Sequence, residues 1–147
     1  MANTVHPFGF KFIGIQINSK SMEPLPPGRQ VFNDFNFNVT AGTTVNAENK
    51  IVMAMVTVII SEHPGPGPTL ATFLISCVFQ LEKFDEIIKK DEKGIYTVPP
   101  EVDNLFRPVA ISTCRGIIFS ELRGTYLHNA IMPVVFMDQF QPVLPET

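Results

Sequence analysis

The sequence has 147 residues, of which 45% are hydrophobic and only 17% are charged. Soluble domains usually carry about 25% charged residues, so a monomer of this composition would expose apolar surface, and we expect a partner or self-association. The net charge of −3 lacks the basic excess typical of nucleic-acid-binding proteins, which argues against that class.

The first strand is predicted over Phe10 to Asn18, where Ile13, Ile15 and Ile17 share one face and polar residues share the other. This alternation is typical of a half-buried strand. A loop over Ser19 to Gln30 follows, because it contains three prolines and a glycine, and its length suggests a crossover above the sheet.

The next three strands follow without an intervening helix, which predicts an antiparallel sheet of four strands. The predicted strands are Val31 to Thr40, Ile51 to Ile60 and Thr69 to Glu82. Turns are predicted between them, over Ala41 to Lys50 and over Pro64 to Pro68. The range Ile51 to Ile60 is apolar on both faces, which indicates a central strand. In the fourth strand we expect Thr72, Ser76, Gln80 and Glu82 to face away from the core.

Helical spacing appears only after the strands. Phe84 to Lys90 predicts two helical turns, and Glu101 to Phe106 predicts one more. Pro108 is suited to the first turn of the main helix, in which Ile111, Cys114, Ile118 and Leu122 fall on one apolar stripe. Gly124 is placed where a left-handed helix cap belongs, and an apolar arm follows over Tyr126 to Gln141.

The predicted architecture is therefore α+β: one domain over residues 1–147, with a four-stranded antiparallel sheet and one long helix packed on one face. Residues 134–147 form a C-terminal arm whose order the sequence leaves open. The longest apolar run is too short to span a bilayer, and the N-terminus has no signal-peptide pattern. Two cysteines, Cys77 and Cys114, lie among apolar neighbours, so we expect buried free thiols and a cytoplasmic location.

Catalytic and metal-binding patterns are not found in the sequence. The histidines His6, His63 and His128 have no second ligand at a useful spacing, and no nucleophile elbow or phosphate-binding loop occurs. A thiol–imidazole pair of Cys114 and His128 is the one enzymatic alternative, and the stripe position of Cys114 favours burial instead. We predict a protein that is not an enzyme and that uses neither cofactor nor metal.

Three stretches of the chain are informative through their order and spacing. They are Leu105-Phe106-Arg107-Pro108, Cys114, Arg123-Gly124-Thr125 and Ala130 to Val134 in the last third, Val31 to Phe35 after the proline-rich loop, and the strands around Thr57 and Phe73-Leu74. Together they give the chain a resemblance to the SecB-type export chaperones of bacteria. The resemblance covers roughly residues 10 to 140. It implies the same sheet-and-helix fold, assembled as a homo-oligomer (a dimer or a tetramer).

The resemblance also implies a function. Proteins of this family hold unfolded or extended polypeptides in apolar grooves without ATP, either for export or, in some relatives, to protect an antitoxin. Carried over to this sequence, the client-binding residues are Phe32, Phe35, Val134, Phe136 and Phe140. Neither nucleic acid nor a membrane is an expected partner.

The chain departs from the family in three respects. It has no Cys or His after His128 to bind zinc, and Pro142 and Pro145 leave little room for a C-terminal helix. Ser76 or Cys77 replaces the exposed acid with which the family docks on the SecA motor, so docking on SecA is not expected. The alternative function is a structural or adaptor subunit of the same fold that binds one folded partner.

Overall fold

The computed structural model describes residues 8–25, 34–63 and 68–134. Its elements are, in chain order, β1 (Phe10–Met22), β2 (Phe35–Asn46), β3 (Ile51–Glu62), β4 (Thr69–Leu81), α1 (Phe84–Ile87), β5 (Lys89–Lys90), β6 (Tyr96–Thr97) and α2 (Pro100–Leu122). β1 to β4 form one antiparallel sheet in the order β1-β4-β3-β2, and α2 packs on one face of it. The predicted fold class is confirmed.

β3 is a central strand, as its two apolar faces predicted, because it pairs with β2 on one side and β4 on the other. Alternate residues from Val52 to Ile60 are fully buried beneath α2. The residues between them, such as Met53 and Met55, lie on the opposite face and are only half-buried. Apolar composition therefore marks the strand as central, although one helix layer covers only one of its faces.

The two edge strands extend further than the sequence predicted. β1 continues to Met22 because its residues 19–22 pair with β4, which is itself 13 residues long, so tertiary pairing overrides their polar composition. β2 continues to Asn46, and the turn is confined to residues 47–50. In that turn the Asn46 side chain accepts a hydrogen bond of 3.2 Å from the Asn49 amide, and Lys50 has a φ of 58°.

β1 and β2 follow one another in the chain but lie at opposite edges of the sheet, so the segment between them crosses from one edge to the other. At the start of this crossover, the Glu23 amide donates a 2.8 Å hydrogen bond to the Leu70 carbonyl of β4. The Tyr126 hydroxyl donates to the Glu23 carbonyl. The segment that follows α2 therefore secures the beginning of the crossover.

The main helix begins at Pro100, and the prediction that it begins at Pro108 was wrong. Pro100 occupies the first helical turn, where a missing N–H costs little, and the Pro99 carbonyl accepts hydrogen bonds from Val102 and Asp103. Pro108 lies inside the helix. Burial of Val102 and Phe106 against the sheet supports the turns that precede it. With 23 residues, α2 is about 35 Å long.

The apolar stripe and the helix cap agree with the prediction. Ile111, Cys114, Ile118 and Leu122 are all at most 3% exposed, and Gly124 has a φ of +79°. The chain beyond Gly124 is irregular as far as Val134. Its side chains alternate between the core and the solvent: Leu127, Ala130 and Met132 are buried, whereas Ile131 and Val134 are exposed.

Two local predictions were wrong. Phe84 to Lys90 forms one helical turn rather than two, because Lys89 and Lys90 pair with β6 in a short hairpin. Ser76 faces away from α2, as predicted, but the expectation that it is exposed was wrong: it is only 1% exposed, between its ladder partners Gln16 of β1 and Met55 of β3. No helix in the described part of the chain is long and apolar enough to cross a membrane.

Candidate functional site

The helix leaves the helix-facing side of β1 uncovered. α2 packs on β2, β3 and β4. Phe12 and Ile15 of β1 face the same side as α2, because they pair with Phe79 and Cys77, whose side chains are buried beneath the helix. Phe12, Ile15 and Ile17 are nevertheless 41%, 48% and 43% exposed. Large apolar side chains in a contiguous row are unusual on the surface of a soluble monomer and mark an interaction site.

We name this surface the β1 trough. Its floor and its helical wall are formed by Phe12, Ile15, Ile17 and Met22 of β1 and by Ile117 and Glu121 of α2. Ile117 lies one turn before Glu121 and therefore on the same side of the helix. The other long side of the trough is the outer edge of β1, beside which no strand lies in the described ranges 8–25, 34–63 and 68–134. From Phe12 to Ser19 the strand carries no charged residue.

An aromatic cluster closes one end of the trough. The rings of Phe79 and Phe106 stack with centroids 4.0 Å apart and planes at 4°. The ring centroid of Phe10 lies 5.1 Å from that of Phe106, and the ring centroid of Phe12 lies 4.8 Å from that of Phe79. Phe79 and Phe106 are fully buried, and the exposed ring of Phe12 packs against Phe79 at the mouth of the trough.

An ion pair and a small cavity mark the other end. Lys20 Nζ lies 2.9 Å from Glu121 Oε2, which ties the end of β1 to the last turn of α2. An open cavity of about 210 Å³ lies beside this pair, and it is lined by Lys20, Ser21, Met22, Phe73 and Glu121. The trough is thus apolar along its length and has one neutralised ion pair at its end.

The structure describes two of the five client-binding residues that the resemblance implied. Phe35 is the first residue of β2, half-buried and paired with Glu62. Val134 is 61% exposed at the end of the described chain. Phe32, Phe136 and Phe140 lie outside the described residues, so their role stays a prediction.

The described residues offer no arrangement suited to nucleophilic or metal chemistry. Cys77 and Cys114 are buried free thiols. Burial, and to a smaller extent the neighbouring Cys77, raises the pKa of Cys114 to about 12, so this thiol is neutral at physiological pH. His128, the suggested partner of Cys114, is exposed. No group of three or more His, Cys, Asp or Glu side chains among the described residues is placed to hold a metal ion.

Sequence reasoning missed the trough because it assigned the isoleucines of β1 to a half-buried strand. Ile15 and Ile17 do share a face, but Ile13 lies within a register shift between Phe12 and Gly14, and all three are exposed. The alternation gave the correct orientation of the strand. The alternation carried no information on how many strands α2 covers. That number decides whether the isoleucines of β1 are buried.

Comparisons with known proteins support the fold. No protein-family model matches the sequence, and no curated protein matches it. Among solved structures, the chain is similar to the SecB-like chaperone Rv1957 of Mycobacterium tuberculosis, solved in complex with a ChAD peptide from the Rv1956 HigA1 antitoxin. The identity is 9%, the TM-score is 0.53, and the match covers 86% of this chain and 90% of that one. This chain therefore has a fold similar to that of a SecB-like chaperone.

Proposed function

We propose that this protein is an ATP-independent holding chaperone that binds extended, apolar polypeptide segments in the β1 trough. The observation that carries the proposal is the row of exposed apolar side chains along an open, uncharged strand, on a fold similar to that of a peptide-binding chaperone. A holding chaperone needs accessible apolar surface and no reactive groups, and both properties match the described residues.

The dimensions of the trough suit an extended client. Phe12 and Met22 are ten positions apart, which corresponds to about 33 Å along a strand. An extended peptide places every second side chain on one face, so a client lying along β1 presents an apolar row at the same repeat as Ile15 and Ile17. The Met22 side chain adds a flexible contact that tolerates different client sequences.

The expected affinity is moderate. Each fully buried aliphatic side chain contributes about 1.5–3 kcal/mol, while ordering a flexible client costs about 2–5 kcal/mol or more. At the middle of these ranges, a client with about five anchoring side chains would therefore bind in roughly the micromolar range. Such affinity suits transient holding, because the client can leave when it reaches its destination or partner.

The client-binding residues that the resemblance implies, Phe32, Phe35, Val134, Phe136 and Phe140, form a second part of the proposal; of these, Phe35 is half-buried at the start of β2 and Val134 is exposed. The chemistry of the proposed client follows from that of the trough: the client is apolar, extended and without dense charge. For this chain we propose either exported polypeptides or one dedicated partner such as an antitoxin, within the cytoplasm. Docking on SecA is not part of the proposal, because Ser76 and Cys77 are buried and uncharged.

The test measures binding of a fluorescently labelled, permanently unfolded polypeptide and suppression of its aggregation. The double variant Ile15→Lys/Ile17→Lys places two charges on the floor of the trough. The matched control, Thr40→Lys/Thr44→Lys, places two charges on exposed positions of β2 that face away from the helix. We expect the first variant to bind at least roughly tenfold more weakly, and the control to bind like the native protein.

Three other outcomes would count against the proposal. Equal binding by both variants would remove the trough from the client site. Absence of binding by the native protein, with several unfolded polypeptides, would reject the holding function. Recovery of one folded partner, and of no unfolded chain, would favour the adaptor alternative.

A further inference from the structure

The end of the β1 trough is held by a contact that lies beyond the sheet ladder. The ladder between β1 and β4 ends at the pair Met22 and Ala71. The next residue, Glu23, is bonded on both sides of its α-carbon. Its amide donates a 2.8 Å hydrogen bond to the Leu70 carbonyl, and its carbonyl accepts a hydrogen bond from the Tyr126 hydroxyl.

The turn after α2 presents Tyr126 in a defined position. Gly124 has a φ of +79°, which lets the chain reverse direction, and the Thr125 amide donates a 3.2 Å hydrogen bond to the Leu122 carbonyl. The Thr125 hydroxyl donates to the same carbonyl over 2.7 Å and accepts from the Leu127 amide over 3.1 Å. Leu127 itself is fully buried. Tyr126 therefore lies between a hydrogen-bonded turn and a buried anchor.

Met22 is the side chain that the Tyr126 hydrogen bond affects most directly. It faces α2, because its partner Ala71 is buried on the helix side of the sheet, and it is 36% exposed. Together with Phe73 and Glu121, it lines the open cavity of about 210 Å³ at the end of the trough. Each residue has only two soft backbone dihedrals, so bonding Glu23 on both sides restricts the direction in which Met22 points.

We propose that Tyr126 is a positioning residue of the client site: its hydroxyl holds the Glu23 carbonyl and thereby directs the Met22 side chain into the end of the β1 trough, where Met22 contacts the client. This inference rests on the proposed function. Tyr126 acts through Met22 and not through a contact of its own with the client. The turn that follows α2 thus helps to shape a binding surface that β1 supplies.

The chemistry of this hydrogen bond suits a positioning role. Burial, and to a smaller extent the Glu23 carboxylate, raises the pKa of Tyr126 above its ordinary value of 10.0, so the hydroxyl remains a donor at physiological pH. The bond joins two neutral groups, so salt does not screen it. The neighbouring Lys20–Glu121 ion pair is 57% and 32% exposed and weakens as salt rises. Tyr126 therefore holds the end of β1 under conditions in which the ion pair contributes little.

Methyl-labelled methionine reports on Met22 without any client. The chain has six methionines, and the variant Met22→Ala identifies the Met22 signal in an NMR spectrum. Met53 and Met55 lie on the opposite face of the sheet and serve as internal references. The variant Tyr126→Phe keeps the ring and removes only the hydroxyl. We expect it to shift or broaden the Met22 signal and to leave both reference signals unchanged.

Tyr96→Phe is the matched control, because the chain has two tyrosines and this one lies far from Met22. The ring of Tyr96 contacts that of Phe84 with centroids 6.5 Å apart, and Phe84 follows the end of β4 where Leu81 pairs with Phe10. That pair is at the opposite end of β1. We expect Tyr96→Phe to leave the Met22 signal and the client affinity unchanged.

Binding of the labelled unfolded polypeptide gives the functional readout. We expect Tyr126→Phe to bind roughly three- to fivefold more weakly than the native protein, which is the change that one lost hydrogen bond gives. In a Met22→Ala background the same substitution should change the affinity less than about twofold, because no side chain is left to position. Both tyrosine variants should unfold in urea within about 0.7 M of the native midpoint.

Three results would overturn the inference. An unchanged Met22 signal in Tyr126→Phe would show that the hydroxyl does not position that side chain. A shifted signal with native affinity, or equal losses of affinity with and without Met22, would remove Tyr126 from client binding and leave the proposed function standing. A native protein that binds no unfolded polypeptide would reject the proposed function, and the role of Tyr126 with it.

Discussion

β1 and β2 are the two edge strands of one sheet, and they differ in how far α2 covers them. β2 lies beneath the helix, pairs with β3 over 12 residues without a register shift, and has its apolar side chains buried or half-buried. β1 pairs with β4 through two register shifts and leaves Phe12, Ile15 and Ile17 exposed. A single helix covers about three strands of a sheet, so a fourth strand remains available for binding.

The two edges are also attached to the helix by different means. The helix reaches β2 through packing and through a hydrogen bond of 3.1 Å from Thr43 to Asp103. β1 meets α2 mainly at its ends, at the aromatic cluster around Phe106 and at the Lys20–Glu121 ion pair. Among the described residues, the middle of β1 is therefore held by β4 alone, and the trough stays open along this stretch.

We expect the largest loss of stability when the aromatic contact between β1 and α2 is removed. Phe106→Ala removes a fully buried ring from the stack with Phe79 and should lower the free energy of unfolding by about 3–5 kcal/mol. Urea denaturation measures this loss, and amide exchange should show β1 loosening before β2. Phe119→Ala is the control, because that ring is 47% exposed and its removal should cost less than about 1 kcal/mol. Equal losses in the two variants would contradict the difference in attachment.

The buried thiol of Cys114 beneath α2 should make stability depend on pH, and we expect this effect to be of intermediate size. Burial raises the pKa of Cys114 to about 12 in the folded protein, from an ordinary thiol value of 9.0. The unfolded state therefore loses this proton first as the pH rises, and folded-state stability falls between the two pKa values by roughly 1 kcal/mol for each pH unit. Urea titrations between pH 8 and pH 11 should show a shallower decline for Cys114→Ala than for the native protein. Parallel declines would mean that the thiol is not desolvated in the folded state.

The ion pair at the end of β1 gives the smallest effect. Lys20 and Glu121 are 57% and 32% exposed, and exposed pairs typically contribute about 0.2–1 kcal/mol. A double-mutant cycle with Lys20→Ala and Glu121→Ala should give a coupling energy of about 0.5 kcal/mol at low salt that declines at high salt. A coupling above about 2 kcal/mol would show that this end of β1 is held as firmly as the aromatic end.

The fold could be predicted from the sequence because its strands are long and regular in pattern. Apolar alternation identified β1, β2 and β4, and a run that is apolar on both faces identified β3. The succession of the four strands without helices indicated the antiparallel sheet. The start of α2 could not be predicted in the same way. Pro108 is a helix breaker by local rules, and only the burial of Val102 and Phe106 against the sheet keeps the preceding turns helical.

The site was harder to predict than the fold. The pattern of Ile15 and Ile17 indicates a strand face, but burial depends on the position of α2, which begins more than eighty residues later in the chain. Phe35 and Val134 were reached only through the resemblance, and neither is tested by the structure. Local patterns determine which way a side chain points, whereas the width of the sheet relative to the helix determines what covers it.

The crossover between β1 and β2 has a consequence for the order in which the chain folds. Neighbouring strands β2, β3 and β4 can join through short turns as soon as they are synthesised, but Phe10 pairs with Leu81, about seventy residues later. At about 5–20 residues per second, the ribosome takes several seconds to deliver the partner of the N-terminal strand. During those seconds the nascent strand is itself an extended, apolar segment of the kind that the proposed holding function would bind. Newly made chains would then be the first clients of older ones.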